Sequence, residues 1–149
     1  MKTLVVYDSV YGNTETIARA IAEAIPGEVQ VLRVGQVQAE VLETVDLLVI
    51  GSPTHGALPT DAAQALVDRI GPPPHEGARV ATFDTRLTWR FLEKWGGFAA
   101  PKMADMLRSK GWTIAGEPGG FFVKGLKKGP LKKGEVERAS AWARGLVGK

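Results

Sequence analysis

The sequence predicts an α/β fold, a parallel sheet with helices covering both faces. Three observations carry that expectation. Short apolar runs alternate with stretches of helical periodicity along the whole chain. Residues 46–51 read Asp-Leu-Leu-Val-Ile-Gly, an unbroken apolar run of the kind that belongs to a strand buried on both faces. The segments between apolar runs are long enough to hold crossover helices, and such crossovers join parallel strands with one hand.

Taken in order, Leu4, Val5 and Val6 form the first strand, which stops at Tyr7. Ile17, Ala18, Ile21, Ala22 and Ile25 recur at helical spacing, and Pro26-Gly27 ends that helix. Val29, Val31 and Val34 alternate with polar residues and suit a second strand at a sheet edge. Residues 37–42 read as a short helix. Residues 46–51 are the third, central strand. A loop over 52–59 leads to a helix over 61–70, and 71–77 form a Pro/Gly turn. Residues 79–83 are the fourth strand, followed by an irregular segment as far as Gly97. A helix spans 99–110 with Met103, Met106 and Leu107 inward. Residues 112–115 and 121–123 form an interrupted fifth strand. A closing helix over 134–147 turns Val136, Ala139, Ala143 and Leu146 inward. Trp112 and Trp142 sit in apolar patterns and are expected in the core.

With 149 residues and 44% hydrophobic content, the chain reads as one domain, 1–149. A domain of this size buries about 70% of its unfolded surface. No apolar run reaches the ~18 residues of a membrane span, and the N-terminus enters a strand without the pattern of a signal peptide. The chain holds no cysteine, which excludes disulfides, thiolate catalysis, iron–sulfur ligation and cysteine zinc sites, and a cytoplasmic location is expected. His55 and His75 are too few for a metal cluster. The net charge of +3 hides an asymmetry: residues 1–75 carry four basic and nine acidic side chains, residues 76–149 fifteen and seven. That implies a dipolar molecule or a basic docking face.

The most informative stretch is the passage from the first strand into the first helix. After Tyr7 comes Asp-Ser-Val-Tyr-Gly-Asn-Thr-Glu-Thr, a hydroxyl-rich turn with one glycine. The first amides of a helix lack internal partners and sit at the positive end of its dipole, which suits a phosphate. Ser9, Asn13, Thr14 and Thr16 offer side-chain donors, and Gly12 leaves the backbone free to approach a ligand. The turn has no Lys or Arg. It lacks both the Gly-x-x-x-x-Gly-Lys-Ser/Thr of a P-loop and the Gly-x-Gly-x-x-Gly of dinucleotide folds.

Ser9-Val10-Tyr11-Gly12-Asn13-Thr14 resembles the phosphate loop of flavodoxins, Ser/Thr-x-Thr-Gly-x-Thr, with Tyr11 where a Thr is usual. The resemblance covers nearly the whole chain and implies a flavodoxin-like sheet of order 2-1-3-4-5 that binds FMN at the carboxyl ends of its strands. That order also turns the charge asymmetry into a spatial dipole. A second loop, with Pro53, Thr54, His55 and Gly56, resembles the one flanking the flavin ring. His55 falls at the stacking position, and Gly56 where the family flips a peptide toward the reduced ring. A third, with Asp84, Thr85 and Arg86, resembles the loop whose backbone meets the pyrimidine edge. Arg86 is expected near N1 and O2 of the ring. Trp89 is the candidate cover for the other ring face, with Trp95 and Phe98 as rivals.

The implied function is electron carriage by bound FMN, with no catalytic residue of the protein's own. The alternative is a small FMN-dependent oxidoreductase, such as a flavodoxin-like quinone reductase or a protoporphyrinogen-oxidising relative. A receiver-type signalling domain shares the strand order. It is disfavoured because Asp8 stands alone after the first strand and Gly51-Ser52 ends the third. Lys124, Lys127, Lys128, Lys132 and Lys133 form a run suited to an acidic redox partner protein. No aromatic residue is interleaved with them to stack bases, so nucleic acid is not an expected partner, and without a membrane-length apolar run neither is a membrane.

Overall fold

The computed structural model describes residues 1–55, 57–87, 97–124 and 129–148. Six parallel-paired strands build one sheet: β1 (Lys2–Tyr7), β2 (Glu28–Arg33), β3 (Leu47–Pro53), β4 (Arg79–Leu87), β5 (Thr113–Ile114) and β6 (Gly119–Val123). The order is β2-β1-β3-β4-β5, with β6 continuing beside the second half of β4. The fifth strand is thus interrupted, as the sequence predicts. The helices are α1 (Asn13–Ala24), α2 (Ala39–Leu42), α3 (Asp61–Arg69), α4 (Ala99–Ser109) and α5 (Glu135–Val147), and Val34–Gln36 make a 3₁₀ turn.

Strand alternation sorts the core into two layers. Leu4, Val6, Leu48, Ile50 and Val80 face α3 and α4, meeting Leu66, Val67, Met103 and Leu107. Val5, Tyr7, Leu47, Val49, Ala81 and Phe83 face α1 and α5, meeting Ile17, Ile21, Ala139 and Leu146. Trp112 is buried in the first layer. Trp142 packs on the second, edge-to-face with Phe83 and Phe121. Gly51 makes room for this aromatic group, because a Cβ there would lie 1.9 Å from the Phe83 ring.

Several sequence expectations change. The second strand ends at Arg33, and Val34 starts the 3₁₀ turn, buried at 7% exposure. β3 runs on through Ser52 and Pro53, because those residues pair with Asp84 and Thr85. β4 runs four residues past Phe83, to Leu87, because β6 pairs with it along that whole stretch and β3 as far as Thr85. Asp84, Thr85 and Arg86 are therefore strand residues, not loop residues. Val136 is 38% exposed, and Glu135 takes the inward position instead, its carboxylate accepting from the Phe122 amide.

The sheet order puts β2, β1 and β3, all from residues 1–75, on one side and β4, β5 and β6 on the other. The chain leaves β1 toward α1 on one face and β3 toward α3 on the opposite face. Their exits diverge at the carboxyl edge, the place where doubly wound sheets bind their ligands.

Candidate functional site

The loop between β1 and α1 is shaped by its own polar groups. Ser9 Oγ accepts from the Gly12 amide at 3.1 Å and from the Glu15 amide at 3.4 Å. Thr16 donates its hydroxyl to the Gly12 carbonyl at 3.0 Å. Gly12 has φ 94°, a left-handed conformation that favours glycine, while a Cβ there would meet nothing within 4 Å. The turn itself therefore calls for glycine at this position. Among the described residues, the amides of Val10, Tyr11, Asn13 and Thr14 donate to no acceptor of the protein. Val10 and Tyr11 are half exposed, at 51% and 45%. Free amides before and at the start of a helix are donors available to an anion, which is the chemistry a phosphate monoester requires.

The side chains predicted to assist are partly committed elsewhere. Thr14 is 2% exposed, and its Oγ1 lies 2.8 Å from Thr85 Oγ1, tying α1 to β4. Asn13 donates its side-chain amide to the Gly129 carbonyl at 2.7 Å.

The second loop starts inside the sheet edge. The Thr54 amide donates to the Thr85 carbonyl at 2.9 Å, and Thr54 Oγ1 accepts from the Ala99 amide at 3.0 Å. His55 and Leu58 exchange backbone hydrogen bonds of 2.8 and 3.0 Å across a tight turn. Ala57 in that turn has φ 70°. His55 and Leu58 are both exposed, and Gly56 lies outside the described residues.

Asp84 and Arg86 form the floor beside this loop. Arg86 donates to Asp84 through Nε at 2.6 Å and Nη2 at 2.8 Å, and its guanidinium lies 3.7 Å from the centroid of the Phe98 ring. Asp84 also accepts from the Ala100 amide at 2.9 Å and so caps α4, whose own preceding residue supplies no cap. Burial pushes the Asp84 carboxyl above its ordinary range, and Arg86, Ala100 and Thr54 oppose that with hydrogen bonds. Of the candidate ring covers, Phe98 is engaged by Arg86, while Trp89 and Trp95 lie outside the described residues.

Other residues of the site carry no sequence motif. Asp8 bridges the first two loops, accepting from the Ser9 amide at 3.0 Å and from the Thr60 hydroxyl. Arg33, at the end of β2, donates to the Ser9 carbonyl at 3.4 Å and to Glu15 at 3.3 Å. Glu15 is held below its ordinary pKa, chiefly by its hydrogen bond from Arg19. Only the parallel pairing of β1 with β2 brings Arg33 beside the loop.

Free amides before and at the start of α1 and a second loop one strand away thus meet at the switch point of a doubly wound sheet. The flavodoxin domain family matches residues 4–121, and the chain belongs to that family. The chain is similar in fold to a flavodoxin from the domain Archaea, with 21% identity, TM-score 0.79, and 99% of this chain and 97% of that one covered. Flavodoxin 2 from Bacillus cereus gives 24% identity and TM-score 0.79, with 99% of each chain covered. A short-chain flavodoxin associated with a non-canonical PDU bacterial microcompartment gives 17% identity and TM-score 0.80, with 99% and 97% covered. No curated protein sequence matches the chain.

Proposed function

We propose that this protein binds FMN non-covalently and carries electrons between partner proteins. The observation that carries this reading is the set of four unpaired amides at the start of α1, at the same sheet edge as the His55 loop. The amides of Val10, Tyr11, Asn13 and Thr14 would hold the phosphate, with the hydroxyl protons of Ser9 and Thr14 beside them. Pro53, Thr54, His55 and Gly56 would border the ring on one side, and the strand end bearing Asp84, Thr85 and Arg86 would lie at its edge, with Trp89 as cover. Bound FMN supplies reversible one- and two-electron chemistry. In this reading the protein's own residues bind and orient, and none is needed as acid, base or nucleophile.

The lysine-rich half suits an acidic partner protein in the cytoplasm, reached by electrostatic steering. Neutralising Lys127, Lys128, Lys132 and Lys133 is then expected to slow electron transfer to that partner, and the rate falls with salt.

The test is flavin binding. The purified protein is expected to be yellow and to release FMN, and titration should show FMN binding far better than riboflavin. Thr14→Ala is expected to weaken FMN by about 10- to 150-fold, the equivalent of a charged hydrogen bond of about 1.5–3 kcal/mol. Riboflavin binding should barely move. Equal losses for the two flavins remove the phosphate role from this loop. Steady turnover of NAD(P)H or a quinone by the isolated protein replaces the carrier reading with the oxidoreductase one.

A further inference from the structure

We propose that the lysine-bearing arm after β6 is part of the phosphate end of the flavin site, supplying the positive charge that the loop after β1 lacks. The proposal rests on the FMN reading above and extends it to residues outside the three loops. The target is a phosphate monoester dianion.

The loop's own charges cancel. Asp8 lies inside it and Glu15 in the first turn of α1. Arg19 and Arg33 are the cations beside them, both hydrogen-bonded to Glu15. A dianion seated on the four free amides meets backbone dipoles there but no net positive charge.

The fold brings that charge from the far end of the chain. Asn13, the first residue of α1, donates its side-chain amide to the Gly129 carbonyl at 2.7 Å. The arm is folded back on itself at that point. The Lys124 amide donates to the Pro130 carbonyl at 2.7 Å, Val123 bridges Leu131, and the Lys132 amide donates to the Phe122 carbonyl at 2.9 Å. Lys124 is thus one antiparallel pair and one chain step from Gly129, roughly 10 Å of backbone at about 3.8 Å per step and about 5 Å across a pair. That is close to the screening length of about 8 Å at physiological salt.

The charges facing the arm from α5 leave it positive. Glu135 pairs with Arg138 and also senses Lys132. Lys124 and Lys133 are exposed, and among the described residues neither enters an ion pair. The Asn13–Gly129 contact therefore fixes cations beside a loop that is otherwise neutral.

The experiment compares two variants of equal net charge. One changes Lys124, Lys132 and Lys133 to Gln. The other changes Arg69, Arg108 and Arg144 to Gln, the cations in the last turns of α3, α4 and α5 at the opposite edge of the sheet. FMN and riboflavin are titrated into the apoproteins at several salt concentrations, with inorganic phosphate as competitor. The arm variant is expected to bind FMN about three- to tenfold more weakly at low salt, the size of several screened unit charges acting on a dianion. It should also show a flatter salt dependence and weaker competition by phosphate, with riboflavin unchanged. The control variant should match wild type. Equal losses in both variants, or an unchanged FMN affinity in the arm variant, overturn the proposal while leaving the FMN reading intact. Failure of wild type to bind FMN overturns both.

Discussion

Arg86 and Asp84, two residues apart on β4, form a buried forked ion pair with contacts of 2.6 and 2.8 Å, and the guanidinium lies over the Phe98 ring. The pair joins the end of β4 to the start of α4 and fixes both ends of the connection between them. Gly120 on β6 completes the niche, because a Cβ there would lie 2.3 Å from the Arg86 guanidinium carbon.

Arg86→Ala leaves a fully buried carboxylate without its cation, and breaking such a pair from one side costs about 3–5 kcal/mol. The variant is expected to melt well below wild type. Adding Asp84→Asn to it should recover part of the loss, which thermal denaturation of the single and double variants measures. A double variant no more stable than Arg86→Ala argues that packing on Phe98, rather than charge, sets the cost.

Thr3 Oγ1 is buried and, among the described residues, is the single buried side-chain polar atom without a hydrogen-bond partner. Thr3→Val keeps the shape and removes the unpaired hydroxyl, so it is expected to stabilise the protein by about 1–3 kcal/mol. A lower denaturation midpoint in the variant shows that the hydroxyl is satisfied in solution.

Ala57 holds φ 70° between His55 and Leu58. The left-handed region costs an alanine about 1–2 kcal/mol, and a glycine costs the unfolded chain about 0.5–1 kcal/mol in added freedom. Ala57→Gly is therefore expected to gain up to about 1 kcal/mol, read in chemical denaturation. A loss of stability would falsify the assigned turn geometry.

His75 is raised above its ordinary pKa, first by the Glu76 carbonyl at 2.8 Å and further by Asp46 at 3.0 Å. The charged form is favoured in the folded state. Its contribution is complete below about pH 6.5, the unfolded value, and fades as pH rises through the higher folded value. Wild type should lose a small increment of stability across that window, and His75→Gln should lose none. Parallel melting curves of the two proteins, taken on both sides of the window, decide it.

Much of this protein was legible in its sequence because the signals are local. Strand and helix periodicity gave the element order, the Ser9–Thr14 turn marked the start of the first helix, and the absence of cysteine removed whole classes of chemistry. What stayed hidden depends on partners far away in the chain. Residues 84–87 look like a loop after a short apolar strand, and only flanking by β3 and β6 makes them strand. Asp84 and Arg86 read as separate members of a loop at the flavin edge, and only the folded strand shows them as one buried ion pair. Arg33 and Gly129 carry no motif and reach the first loop through parallel pairing and a 116-residue closure from Asn13, while Asp8, inside that loop, ties it to the second through Thr60. Sequence patterns encode which face of each element is apolar. The approach of one element's polar groups to another's is set when those faces pack, and that is where the site was decided.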